Sequence, residues 1–139
     1  MDDITEFYAW TRQQADALRR RAGDEIDWDA VADEIEALGR SEKREVGSRL
    51  ATLLQRLLLW HYQPERRSGI WRSSIREARD EIAELVVDNP SLVRYPKERL
   101  ARAFEIARLR ALDEAGLLHL PEVCPWPIDD VLCQDFLPN

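Results

Sequence analysis

The chain has almost no lysine: Lys43 and Lys97 are two of its 20 basic residues, and the other 18 are arginine. It also holds only two cysteines, two histidines, one methionine and five glycines in 139 residues. Cys124 and Cys133, both near the C-terminus, are too few for a disulfide framework and are expected to be free thiols. Few glycines leave little room for a phosphate-cradling loop or a dinucleotide fingerprint, and neither motif occurs; a Ser-His-Asp arrangement is missing too. No stretch approaches the roughly 18 apolar residues of a membrane span. The opening MDDITEFYAW is acidic and lacks the apolar core of a signal peptide, so cytoplasmic residence is the expectation. A net charge of −7 withholds the positive excess that general nucleic-acid binding needs.

What is present is helical periodicity. Ile4, Phe7, Tyr8, Ala15 and Leu18 follow a 3–4 spacing that Gly23 is expected to stop. Asp27 suits the N-cap of a second helix carrying Trp28, Val31, Ala32, Ile35 and Leu38, with Gly39 placed to end it. Ser41 is then the cap of a third, whose stripe is Val46, Leu50, Leu53, Leu54, Leu57 and Leu58 and whose end is Pro64. A fourth carries Trp71, Ile75, Ala78, Ile82, Leu85 and Val86 and stops at Asp88-Asn89-Pro90. A fifth opens at Pro96 and closes at Gly116.

Beyond it, four prolines break the tail, residues 117–139, into extended pieces and a short helix at Ile128–Cys133. The expected fold is therefore all-α: one domain, residues 1–139, built as a compact bundle of four to five amphipathic helices with an irregular proline-rich tail packed on it. Leu57-Leu58-Leu59-Trp60 is apolar on every side, so it must be central in the bundle or covered by a second copy in a homo-oligomer.

Four constellations carry chemistry. Arg56 and His61 have the Arg-x4-His spacing of HEPN-type ribonucleases, in which such residues, one from each protomer, meet across a dimer interface, arginine steadying phosphorane charge while histidine moves a proton. Positions i and i+5 stand about 140° apart on a helix, however, so the two side chains diverge. Glu42 with Glu45, and Glu77 with Asp80, resemble the acid pairs with which helical nucleotide pyrophosphohydrolases hold Mg²⁺, and Arg44, Arg72, Arg76 and Arg79 could then meet phosphate oxygens. With 27 acids in the chain, such pairs also arise by chance and then pair along the helix, as Arg76 with Asp80. His119, Cys124 and Cys133, with or without His61, have the right ligand types for zinc but no compact zinc spacing.

The fourth is the corner WHYQPERRSGIWR. There Arg66, Arg67 and Arg72 crowd the start of a helix that Ser68 caps, flanked by Trp60 and Trp71. This corner is the best concentration of binding chemistry, and the ligand it suits is an anion or a protein partner, with no cofactor expected. If its arginines instead pair with acids such as Glu65, the corner is structural.

Five segments carry a wider resemblance: DDITEFYAWTRQQADALR, DWDAVADEIEALGRSEKREVGSRL, LLQRLLLWHYQPERRSGIWRSSIREAR, DNPSL and LPEVCPWPIDDVLCQDFLP. Together they resemble domain-of-unknown-function family 29, small bacterial proteins, over nearly the whole chain. The resemblance implies an all-helical domain and supplies no activity. In that family pattern glutamine commonly stands where this chain has His61. Binding or assembly, rather than catalysis, is the expectation.

Overall fold

The computed structural model describes residues 3–139, with side chains from residue 6 onward, so the side chain of Ile4 lies outside the described residues. Its helices are α1 (Asp3–Arg20), α2 (Trp28–Tyr62), α3 (Gly69–Asp88), α4 (Tyr95–Ala115) and the five-residue α5 (Ile128–Leu132). No strand occurs among the described residues, and none of their helices is long and apolar enough to cross a membrane. The chain contains two compact units, Met1–Ser41 and Glu42–Asn139.

The helix ends follow local chemistry. In the first unit α1 closes at Arg20, three residues before Gly23. The Ala22 amide donates to the Ala17 carbonyl at 2.9 Å and the Arg21 amide to the Leu18 carbonyl at 3.1 Å, a Schellman closure. Arg21 occupies its left-handed position, with φ +56°. Gln14 ties this turn to the next helix: its amide nitrogen donates to the Glu25 carbonyl and its oxygen accepts from the Asp27 amide at 2.8 Å. Asp27 is the N-cap of α2, its carboxylate accepting from the Ala30 amide.

The expected break at Gly39 and Ser41 does not occur. One helix of 35 residues runs through both positions, and Gly39 keeps right-handed backbone angles. A glycine inside a helix costs about 1 kcal/mol relative to alanine, whereas a break would strand four carbonyls and four amides at two new ends. No proline enforces the break, so the continuous ladder wins.

The second unit is a three-helix bundle. Residues 42–62 of α2 run antiparallel to α3, a register set by Asn89 donating to Glu42, Arg49 pairing with Glu81 at 2.7 Å, and Arg56 donating to the Ser74 carbonyl. The same segment runs parallel to α4, with Gly47 against Arg99 and Gln55 donating to Glu114 at 2.7 Å. The core is Leu50, Leu53, Leu54, Leu57 and Leu58 of α2 with Ile75, Ile82, Ala103, Phe104 and Ala107. Leu57 and Leu58 are fully enclosed, and Leu59 and Trp60 are 7% and 5% exposed. That turn is therefore buried within a single chain, and its apolar circumference needs no second copy to cover it.

The tail packs on the bundle through Leu120, Trp126, Ile128, Val131 and Leu137. Prolines deprive it of amide donors, and its extended carbonyls have no ladder to join. Arginines satisfy three of them. Arg108 donates to the Pro121 carbonyl at 3.0 Å, Arg79 to Val131 at 2.8 Å, and Arg67 to Pro138 at 3.4 Å.

Candidate functional site

The corner between α2 and α3 is built as its sequence suggests. Tyr62 ends α2, Pro64–Arg66 forms a 3-10 turn, and the Ser68 hydroxyl accepts from the Trp71 amide at 3.2 Å to cap α3. Its five singled-out residues take different roles. Arg67 turns inward: its Nε donates to the Trp60 carbonyl at 2.8 Å, and its guanidinium lies 5.0 Å from the Trp60 ring centre. It thereby satisfies a carbonyl in the last turn of α2 while also holding Pro138 of the tail. Trp60 is part of the core, and Arg72 reaches its ring at 5.6 Å.

Arg66 and Arg72 are exposed, and neither forms an ion pair among the described residues. The Glu65 carboxylate has no basic partner among them either. Trp71 is half-buried and walls a cleft of about 300 Å³ together with Leu59, Ile70, Arg56, Ser74 and Glu114. The corner thus offers two exposed guanidinium groups without an ion pair among the described residues, that of Arg72 lying over the Trp60 ring.

The catalytic pairings do not assemble. Arg56 faces that cleft and is held by the Ser74 carbonyl, while His61 packs edge-on against Tyr62 at 4.6 Å and Trp126 of the tail at 6.1 Å. The two residues face different neighbours, as the 140° divergence requires.

The four carboxylates are also dispersed. Glu42 accepts from Asn89, Glu45 pairs with Arg49 at 2.8 Å, and Asp80 accepts from Gln134 at 2.7 Å instead of meeting Arg76. Asn89, the neighbour of Glu42, lies twelve residues along the chain from Glu77, about 18 Å at helical rise. Among the described residues no three His, Cys, Asp or Glu side chains are grouped to hold a metal ion, and His119 stands exposed on the tail. Cys124 and Cys133 are free thiols. The Cys124 sulfur contacts the Trp126 carbonyl at 3.4 Å, and burial pushes its pKa up from the ordinary value.

Arg79, expected from the sequence among the arginines that could meet phosphate oxygens, is instead buried. It is 3% exposed on α3, holds the Val131 carbonyl, and leaves its Nη2 without a partner. Burial lowers its pKa, and the nearby Cys133 sulfur opposes that shift. The only available signal was compositional: many arginines beside a tail whose prolines leave carbonyls unpaired.

The comparison with known families now decides kinship. The model of a domain of unknown function, DUF29, matches residues 4–137. The chain belongs to the DUF29 family. A search of the curated proteins and of the solved structures found no match. The family supplies no activity to carry over, so the site of this DUF29 chain has to be read from its own geometry.

Proposed function

We propose that the protein is a non-catalytic binding or assembly module of the bacterial cytoplasm, working without a cofactor. Its contact point is the corner at the start of α3, where Arg66 and Arg72 meet an anionic group of a protein partner or ligand beside Trp71. One observation carries this reading. Of the three arginines crowded there, Arg67 is consumed by the fold, while the exposed Arg66 and Arg72 have no carboxylate partner among the described residues. Exposed guanidinium forks beside an indole suit a carboxylate or phosphate better than bulk water does. Free thiols agree with a reducing compartment.

Calorimetric titration with an acidic polyglutamate peptide tests the reading. The double variant Arg66→Ala with Arg72→Ala should abolish measurable binding with its melting temperature unchanged, whereas Arg67→Ala should lower the melting temperature. Equal peptide affinity in the double variant and the parent protein would refute the corner as the contact point.

A further inference from the structure

A second concentration of positive charge lies in the Glu42–Asn139 unit, away from the corner. Arg44 and Ser48 of α2 face Tyr95, Arg99, Ile106 and Arg110 of α4 across a cleft of about 350 Å³. Residues 44 and 48 on α2, and 95, 99, 106 and 110 on α4, each recur at helical spacing, so each set forms one face. No acidic side chain lines the cleft. Among the described residues none of its three arginines forms an ion pair, although the chain carries seven more negative charges than positive.

Arg99 is half-buried, and its Nε is buried with no hydrogen-bond partner. Gly47 makes room for it. A Cβ added there would come within 3.3 Å of Arg99 Nε and 3.7 Å of its Cγ. The Lys43 ammonium, 4.9 Å from the Tyr95 ring centre, brings a further positive charge to the same end. Like charges lining one cleft repel each other, and a bound anion relieves that repulsion.

We propose that this cleft binds a small organic phosphate. The phosphate group sits between the guanidinium groups of Arg44 and Arg99, with the Ser48 and Tyr95 hydroxyls as further donors, while Arg110, about 16 Å further along α4, lines the far end of the cleft. The organic part rests on Ile106. Arg44, Arg99 and the nearby Lys43 carry more positive charge than a single carboxylate neutralises, whereas a dianionic phosphate matches it more closely and forms forked pairs with arginine. The volume belongs to the small end of ligand clefts.

Titration calorimetry on the full chain with AMP and with inorganic phosphate as probes tests this. AMP should bind, and binding should weaken as salt is raised. Arg99→Met, which keeps the packed stem, should weaken it at least about tenfold. Gly47→Ala should weaken it several-fold by crowding Arg99. The double variant Arg66→Ala with Arg72→Ala should bind AMP as the parent does, which separates this site from the corner. If Arg99→Met does not fold, the exposed Arg44→Gln makes the same measurement. No binding of either probe at millimolar concentration, or AMP affinity unmoved by these cleft substitutions, overturns the proposal.

Discussion

From Val46 to Trp60 each turn of α2 in the Glu42–Asn139 unit sends apolar side chains into a shared core. In the Met1–Ser41 unit, by contrast, only Ala17 and Ile26 of the described apolar side chains are buried, and Phe7, Tyr8, Leu18, Trp28, Ile35 and Leu38 stand exposed. The charges divide as well. Residues 1–41 hold eleven acids against five arginines, while residues 42–139 hold sixteen acids against fifteen bases. Hydrophobic burial therefore stabilises the second unit. The first relies on end chemistry: the Gln14 bridge, the Asp27 cap, the Schellman turn, and the exposed pairs Arg20–Asp16 and Arg20–Glu25. Exposed pairs of that kind contribute little. Both proposed anion sites lie in the second unit, where charge is nearly balanced.

The contrast breaks most visibly under truncation of apolar side chains. Leu57→Ala removes a fully enclosed side chain and should cost about 2–5 kcal/mol in urea unfolding. Ile35→Ala, at a side chain 63% exposed, should cost no more than about 0.5 kcal/mol by the same measurement. A large loss at Ile35 would mean that the first unit buries that side chain against a partner in solution.

A smaller effect is expected where the second unit depends on polar rather than apolar contacts. Arg79→Met keeps the volume of the buried stem but leaves the Val131 carbonyl unpaired. It should cost about 1–3 kcal/mol, with faster amide exchange in α5 than in α3. A neutral result would show that the tail is held by Val131 and its apolar neighbours alone. Removal of a buried charge can offset part of the loss, so amide exchange is the more discriminating readout.

These contrasts show how far sequence carries. Helix ends at Pro64, Pro90 and Gly116 could be read directly, because a missing amide or a left-handed residue acts within one or two positions. Full burial of Leu57–Trp60 could be read for a similar reason: a turn apolar all round has no wet side. Gly39 and Ser41 misled because their preferences, near 1 kcal/mol, compete with a whole ladder of backbone bonds. In the corner, the sequence could not assign the arginines their separate roles. Arg66 and Arg67 are adjacent and identical, and only the tertiary positions of the Trp60 and Pro138 carbonyls single out Arg67. The cleft of Arg44 and Arg99 joins residues 55 positions apart, and without the parallel register of α2 and α4 neither looks different from any other surface arginine.

The smallest expected effect concerns the end of α1. Arg21 holds the left-handed position of the Schellman turn at φ +56°, where a Cβ is crowded and glycine is the usual occupant. No side-chain hydrogen bond or ion pair of Arg21 occurs among the described residues to compensate. Arg21→Gly should therefore stabilise the chain, even though glycine loses more entropy on folding; the balance is a gain on the order of 1 kcal/mol or less. The gain should appear as slower amide exchange at Arg20 and Ala22, while amides near Leu57 stay unchanged if the two units open separately. If exchange slows equally in both, they open as one cooperative body, and the continuous α2 helix, whose ladder crosses residues 41 and 42, is the element that would couple them.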